Sequence, residues 1–289
     1  MSRIKFVTDS AADIPAELLR KYDIELLSFP IAIDEDEYAD GVDFTPEEFY
    51  KLLVTLPKIP THSQLTAFVF QECFERAYAE GYDALIYTSI NSKGSTTHQN
   101  SLQAKEDFYR EHPDAAGKFD IHIIDSLTYT MGYGFAVVEG AKLALEGKST
   151  DDIVYFIEDW VAHVRVLFVP YDLKFAKRSG RISAAAAFMG EALGLKPIMT
   201  FEDGESKVLA KVRGEKNVVH TLLGMAEKER EENTPYLIIR ADRPDQADLI
   251  KQEATAKFGQ EPALDFFIGG VVTINAGPNL AGIIYRMKD

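Results

Sequence analysis

Two patterns of apolar residues alternate along the first half of the chain. One is a short apolar run, which marks a strand; the other repeats apolar positions about three or four residues apart, which marks an amphipathic helix. Ile4–Val7 reads as a strand. Pro15–Tyr22 reads as a helix, with Asp13 and Pro15 as its start signals. Ile24–Ile33 is a strand broken at Pro30, and an acidic loop follows over 34–43. Thr45-Pro46-Glu47-Glu48 is a capping box with proline at the first helical position, which predicts a helix reaching Leu56. Ala67–Glu80 is a second amphipathic helix, with Phe68, Phe70, Phe74 and Tyr78 available for one face. Then come a strand at Ala84–Tyr87, a helix at Ser101–Glu111, a strand at Ile121–Ile124 and a helix at Gly134–Leu145. Strands and helices alternating at this spacing predict a mostly parallel sheet with helices on both faces, a Rossmann-like layout.

Beyond Ser149-Thr150-Asp151-Asp152, which opens a helix ending near Val164, the pattern changes. Val166–Val169 reads as a strand, Lys177–Arg181 as a basic glycine turn, and an alanine-rich helix starts at Ala184. Asp203-Gly204 signals a hairpin. Helices are predicted over Asn217–Glu231 and Ala247–Lys257, with strands at Tyr236–Arg240, Phe266–Ile268 and Gly282–Tyr285, the last two flanking a Gly-Pro turn. The expected fold class is therefore α/β in two domains: a Rossmann-like domain over residues 1–164 and a mixed α+β domain over 165–289. No internal repeat or low-complexity segment is visible.

Composition narrows the function. The formal net charge of −15 argues against non-specific nucleic-acid binding and against docking to an anionic membrane by charge. The single cysteine, Cys73, lies in an apolar helical run and reads as a buried structural thiol in a reducing compartment. With no signal peptide, no lipidation motif and no apolar run long enough to span a bilayer, a cytoplasmic location is expected. The histidines follow no metal-binding spacing, so no metal is predicted.

Ligands of an open parallel sheet bind beyond the carboxyl ends of its strands. There the chain carries Thr8-Asp9-Ser10, Thr88 to Thr97, Asp125-Ser126-Leu127-Thr128 and, between two helices, Pro60-Thr61-His62-Ser63-Gln64. The loop over Ser92–Thr97 leads into a helix, whose first N–H groups and partial positive charge suit a small anion. Helix capping by Ser95 or Thr96 is the simpler reading of the same residues. There is no Walker A pattern and no Gly-x-Gly-x-x-Gly after a strand, so a single carboxylate fits better than a nucleotide. His62 beside Ser63, and Ser95 three residues before His98, leave a serine-dependent esterase or thioesterase as the alternative, although the Gly-x-Ser-x-Gly elbow is absent. Lys174, Lys177, Arg178 and Arg181 form a basic cluster that is either a solvated loop or a contact for an anionic group or partner.

Taken in order, these segments resemble the DegV family of fatty-acid-binding proteins. The resemblance runs through Thr8-Asp9-Ser10-Ala11-Ala12-Asp13-Ile14-Pro15, Thr61-His62-Ser63-Gln64, Ser89 to Ser101 and Asp125-Ser126. It continues through Lys177 to Ser183, Gly194-Leu195-Lys196-Pro197-Ile198 with Asp203-Gly204, Lys211-Val212-Arg213 and Gly277-Pro278. It implies two α/β domains holding a long-chain fatty acid such as palmitate or oleate between them, without covalent chemistry and with no cofactor. The carboxylate would be held by a residue of the Thr-Ser-Gln loop and by the serine of the Ser-Gly-Thr loop. The second position maps to Ser95; the first maps to His62, where the family has Thr or Ser, with Thr61 and Ser63 as stand-ins. Ser126, Arg181 and Asn275 fall at pocket or partner-surface positions. Some relatives present the bound acid to a fatty acid kinase, and Asn275 stands where those relatives have histidine. Thr96 replaces a glycine and Gly94 a leucine. Burying an acyl chain of ~16 carbons at about 0.8 kcal/mol per methylene yields roughly 12 kcal/mol before ordering costs, so the head group need only fix orientation. Phe188, Met189, Leu193 and Leu195 could line a tunnel for it, or simply form core.

Overall fold

A computed structural model describes residues 2–188 and 194–288, which divide into two compact units. The first comprises Met1–Val42 and His62–Ala162, the second Asp43–Thr61 and His163–Asp289. The segment Asp43–Thr61, which the sequence pattern left inside the N-terminal domain, thus falls in the second unit by its contacts.

In the first stretch of chain β1 is Ile4–Asp9, α1 Ala16–Lys21, β2 Ile24–Leu27, β3 Pro30–Ile33 and β4 Asp36–Ala39. There follow α2 at Pro46–Thr55, β5 at Thr61–His62, α3 at Ala67–Ala79, β6 at Ala84–Ser89 and α4 at Thr97–Glu111. β7 at Asp120–Asp125, α5 at Met131–Leu145 and α6 at Thr150–His163 complete this part. Strands β2-β1-β6-β7 form a fully parallel sheet in that order. The step from β1 to β2 runs one way along the sheet and the step from β6 to β7 runs the other. Because parallel crossovers are right-handed, the two steps place their helices on opposite faces. The direction reverses between β1 and β6, and the carboxyl ends of those two strands, Asp9 and Ser89, flank the crevice that such a reversal creates.

Aromatic packing fixes the helices to this sheet. Phe70 of α3, fully buried, lies 4.9 Å from the ring of Tyr87 on β6, and Phe74 meets Phe108 of α4 edge-on. Over Met131–Val138 α5 is apolar on every side, as suits a stretch that is buried throughout. Its start is held by Trp160 of α6, whose indole N–H donates to the Gly132 carbonyl at 2.9 Å. The acidic loop expected over 34–43 contains β4, paired with β3 across a tight turn in which Asp34 adopts φ 54°. With β5 these two strands make a small three-stranded sheet in the order β4-β3-β5.

In the second unit β8 is Val164–Pro170, α7 Lys174–Ser179, α8 Ser183–Phe188, β9 Leu195–Glu202 and β10 Glu205–Arg213. Then come α9 at Val218–Glu229, β11 at Tyr236–Arg240, α10 at Pro244–Phe258, β12 at Leu264–Phe267, α11 at Gly270–Ala276 and β13 at Leu280–Arg286. The six-stranded sheet is mixed, in the order β10-β9-β8-β13-β11-β12. Leu167, Ile238, Ile283 and Tyr285 of this sheet share a core with Leu222 of α9 and Ile250 of α10. α2 carries the capping box read from the sequence: Thr45 accepts from the Glu48 N–H, and the Glu48 carboxylate accepts from the Thr45 N–H at 2.9 Å. Two expectations change here. The basic glycine turn is mostly the short helix α7, stopped by Gly180 in the left-handed region at φ 71°. The Gly-Pro turn near the last strands is preceded by α11, which at seven residues is too short to show a helical period.

Candidate functional site

The carboxyl edge of the parallel sheet gathers the hydroxyl-rich loops the sequence singled out. Asp9 ends β1 with no exposed surface. Its carboxylate accepts from the Tyr133 hydroxyl at 2.6 Å, the Tyr87 hydroxyl at 2.9 Å and the Ile90 N–H at 2.8 Å. Burial pushes its pKa up from 3.8 to about 6, against the pull of those donors. The same environment, with Asp9 itself the nearest charge, drives both tyrosines well above their ordinary range, so they stay protonated donors. Next to it, Ser10 donates to the Asp40 carboxylate at 2.8 Å and accepts the Phe29 N–H at 3.1 Å.

The loop after β6 is cross-linked to the loop after β7. The Ser126 N–H donates to the Ser89 carbonyl, the Asn91 N–H to the Thr128 carbonyl, and the Ser92 N–H to the Asp125 carboxylate at 3.1 Å. Asn91 also donates through its side chain to the Tyr129 hydroxyl at 3.1 Å. That hydroxyl occupies the space beside Gly94: a Cβ there would sit 2.0 Å from it. Gly94 therefore lets Tyr129 lie over the loop, which explains why this chain has no bulky residue at the position.

Ser95 sits half-buried at the start of α4. Its hydroxyl accepts the Thr97 N–H at 3.2 Å and donates to Thr97 Oγ1 at 2.9 Å. Thr97 Oγ1 also accepts the Leu65 N–H at 3.3 Å, and Asn100 donates to the Leu65 carbonyl at 2.7 Å. The loop after β5 is therefore pinned to the first turn of α4. Within that loop the Ser63 N–H donates to the Pro30 carbonyl, and the half-buried ring of His62 meets Phe29 edge-on at 6.3 Å. Thr61 and Ser63 are exposed. Ser95 and Thr97 thus close a local hydroxyl turn at the start of α4, in which the Ser95 proton is directed to Thr97.

The remaining predicted residues are engaged with their own neighbours in sequence. Ser126 is buried and engaged in its own turn with Thr128. Arg181 is exposed in the second unit and donates to the Ser179 carbonyl at 2.9 Å. Asn275 lies on α11 and donates to the Val271 carbonyl at 2.7 Å. Phe188 is buried and Leu195 half-buried, while Met189 and Leu193 lie outside the described residues.

The arrangement gives the esterase reading no support. The hydroxyl that faces His98 is that of Ser89, 2.9 Å from Nδ1, and Ser89 has no exposed surface from which to attack a substrate. Burial holds the His98 pKa below its ordinary value, opposed by Asp125, so the ring is neutral near pH 7. Among the described residues no group of acidic, histidine or cysteine side chains could hold a metal ion, and no helix is long and apolar enough to cross a membrane.

Sequence reasoning placed Asp9 and Thr97 at this edge only as members of hydroxyl-rich loops, with no partners, and did not single out Tyr87, Tyr133 or Asn100. Only the alternation of strand and hydroxyl-rich loop pointed to the region.

Comparison with known proteins agrees with the fold. The family model described as "uncharacterised protein, DegV family" matches residues 3–288. The chain belongs to the DegV family. A DegV domain-containing protein of Caldanaerobacter subterraneus subsp. tengcongensis is 34% identical over 298 residues, covering all of both chains. Among solved structures, the fatty-acid-binding DegV family protein of Thermus thermophilus is 26% identical with a TM-score of 0.87, covering 98% of this chain and 99% of that one. DegV of Bacillus subtilis, a fatty acid binding protein, is 26% identical with a TM-score of 0.84 and full coverage of both chains.

Proposed function

We propose that this DegV family member is a cytoplasmic, non-covalent carrier of a long-chain fatty acid such as palmitate or oleate. The carboxylate is received by Ser95 and by the Thr61-His62-Ser63 segment, with Ser126 behind them. The observation that supports this most is the hydrogen-bonded link from Leu65 through Thr97 to Ser95, which joins the two loops at the edge of the sheet. On binding, the Ser95 hydroxyl turns its proton from Thr97 to the ligand. His62 donates through a ring N–H, and the first turn of α4 adds its partial positive charge. No bond is made or broken. Fatty-acid binding by DegV relatives of the same fold supports the ligand class.

The narrower proposal is that the bound acid is presented to a fatty acid kinase. Arg181 is exposed and suited to an anionic partner. Acyl phosphate formation from palmitate on this protein, with a fatty acid kinase and ATP, tests that step; no product from protein loaded with palmitate removes it.

Native mass spectrometry before and after organic extraction, followed by titration with palmitate, tests the carrier role. Ser95→Ala should weaken palmitate by about tenfold or more, since a hydrogen bond to a charged group contributes about 1.5–3 kcal/mol. Failure to recover or bind any fatty acid would overturn the proposal.

A further inference from the structure

The head-group residues lie on two loops far apart in sequence, and one dipeptide touches the framework of both. Asp9 accepts the N–H of Ile90, the first residue of the loop that leads through Ser92 to Ser95. Ser10 accepts the Phe29 N–H, and its hydroxyl proton goes to Asp40, whose own N–H donates to the Phe29 carbonyl. Phe29 precedes β3, the strand that pairs with β5 and whose Pro30 carbonyl receives the Ser63 N–H. Its ring also meets that of His62. Asp9 and Ser10 are almost fully buried and so hold these loops from beneath.

We infer that Asp9 and Ser10 are positioning residues of the fatty-acid carboxylate site, Asp9 setting the Ser95 loop and Ser10 setting the His62 loop, so that together they fix the spacing of its two sides. This rests on the carrier reading above. A carboxylate suits the Asp9 position because three donors from β6, α5 and the loop converge on it, and a carboxylate accepts all of them. Asparagine keeps the shape, but its NH2 end cannot accept. The groups around Asp9 are the Tyr87 and Tyr133 hydroxyls and the backbone N–H groups of Ile90 and Ala11. Asp13 influences Tyr133, and Cys73 and Asp125 influence Tyr87.

The test combines amide hydrogen exchange on unliganded protein with palmitate titration. Asp9→Asn should lower protection of residues 90–97 about tenfold and raise the palmitate Kd about tenfold, the loss of one charge-assisted hydrogen bond. Protection of 61–65 should stay unchanged. Ser10→Ala should do the reverse, loosening 61–65 and sparing 90–97, again with weaker palmitate binding. In the wild type, the protection factor of Ile90 should fall as pH drops through the titration of Asp9, and Asp9→Asn should abolish that inflection. A merely structural role predicts instead a uniform loss across the first unit in both variants, with no such inflection. A folded Asp9→Asn that keeps protection of 90–97, or binds palmitate within about twofold of wild type, overturns the inference. Should Asp9→Asn fail to fold, the wild-type pH profile decides instead: absence of an inflection in the Ile90 protection factor overturns the inference. If the wild type binds no palmitate, the carrier reading falls, while exchange in the unliganded variants still decides which residue positions which loop.

Discussion

Tyr133→Phe isolates the strongest contact of the buried acid. The ring stays in a fully buried position on α5, and only the hydroxyl that donates to Asp9 at 2.6 Å is lost. Above pH 7 Asp9 is ionised, and a hydrogen bond to a charged group contributes about 1.5–3 kcal/mol, so the first unit should lose about 2 kcal/mol. At pH 5 the folded-state carboxyl, with its pKa at about 6, is largely protonated, and a neutral hydrogen bond contributes only about 1 kcal/mol. The sign follows from linkage. A folded-state value raised from 3.8 to about 6 means that this group's contribution is complete below pH 4 and is lost as pH rises through 6. Removing a donor that favours the ionised form raises the folded value further, so the gap between wild type and variant opens between pH 6 and 8. The protein has one tryptophan, Trp160, buried in this unit and bonded to Gly132 at the start of α5. Urea unfolding followed by its fluorescence at pH 5 and 8 reads the gap directly. A gap equal or larger at pH 5, or one below about 0.5 kcal/mol at pH 8, would refute the assignment of Tyr133 as a charge-assisted donor.

The other predictions concern the same edge and the core behind it. Thr130→Gly should stabilise the first unit by about 1 kcal/mol, because Thr130 sits at φ 57°, ψ −154°, a region costly for β-branched residues, and its buried hydroxyl has no hydrogen-bond partner among the described residues. A lowered urea midpoint would contradict this. Gly94→Ala should cost about 1–3 kcal/mol by forcing Tyr129 away; adding Tyr129→Phe should recover about half, since the nearest remaining ring atom stands 3.1 Å from the new Cβ. Phe70→Ala should destabilise by about 3–5 kcal/mol, as it empties a fully buried site against Tyr87. Either of these losses, if absent in Trp160-monitored unfolding, would show that the local packing is not what holds the unit.

What could be read from the sequence was whatever is encoded locally. Thr45 to Glu48 lie within one helical turn, and their capping box is present in full. Of the parallel strands, β6 announced itself as an unbroken apolar run because both its faces are covered, while β1, β2 and β7 were legible as short apolar runs despite Lys5, Glu25 and His122. The edge of the sheet was visible as a set of hydroxyl-rich loops, and Ser95 at a helix start could be reached by its spacing. The Asp9 cluster could not, because Tyr87 and Tyr133 lie 78 and 124 residues away and each reads, in sequence, as one more core aromatic. The link from Thr97 to Leu65 spans 32 residues and is equally silent. α7 and α11 escaped because six or seven residues are too few to display a helical period, and the glycines that bound them, Gly180, Gly269 and Gly277, speak for turns.

The placement of β13 bears on how the chain must be made. β8 and β11 are not neighbours; β13 lies between them, pairing Val166 with Ile284 on one side and Leu237 with Ile284 on the other. A ribosome delivers β8 more than a hundred residues ahead of the strand that covers its edge, counting from Pro170 to Leu280. Throughout that interval the apolar ladder Val166-Leu167-Phe168-Val169 has an open side, available to any other nascent edge. The second half of this protein is therefore committed to closing after translation has passed residue 286, and chaperone demand during synthesis should track the time spent between those two points.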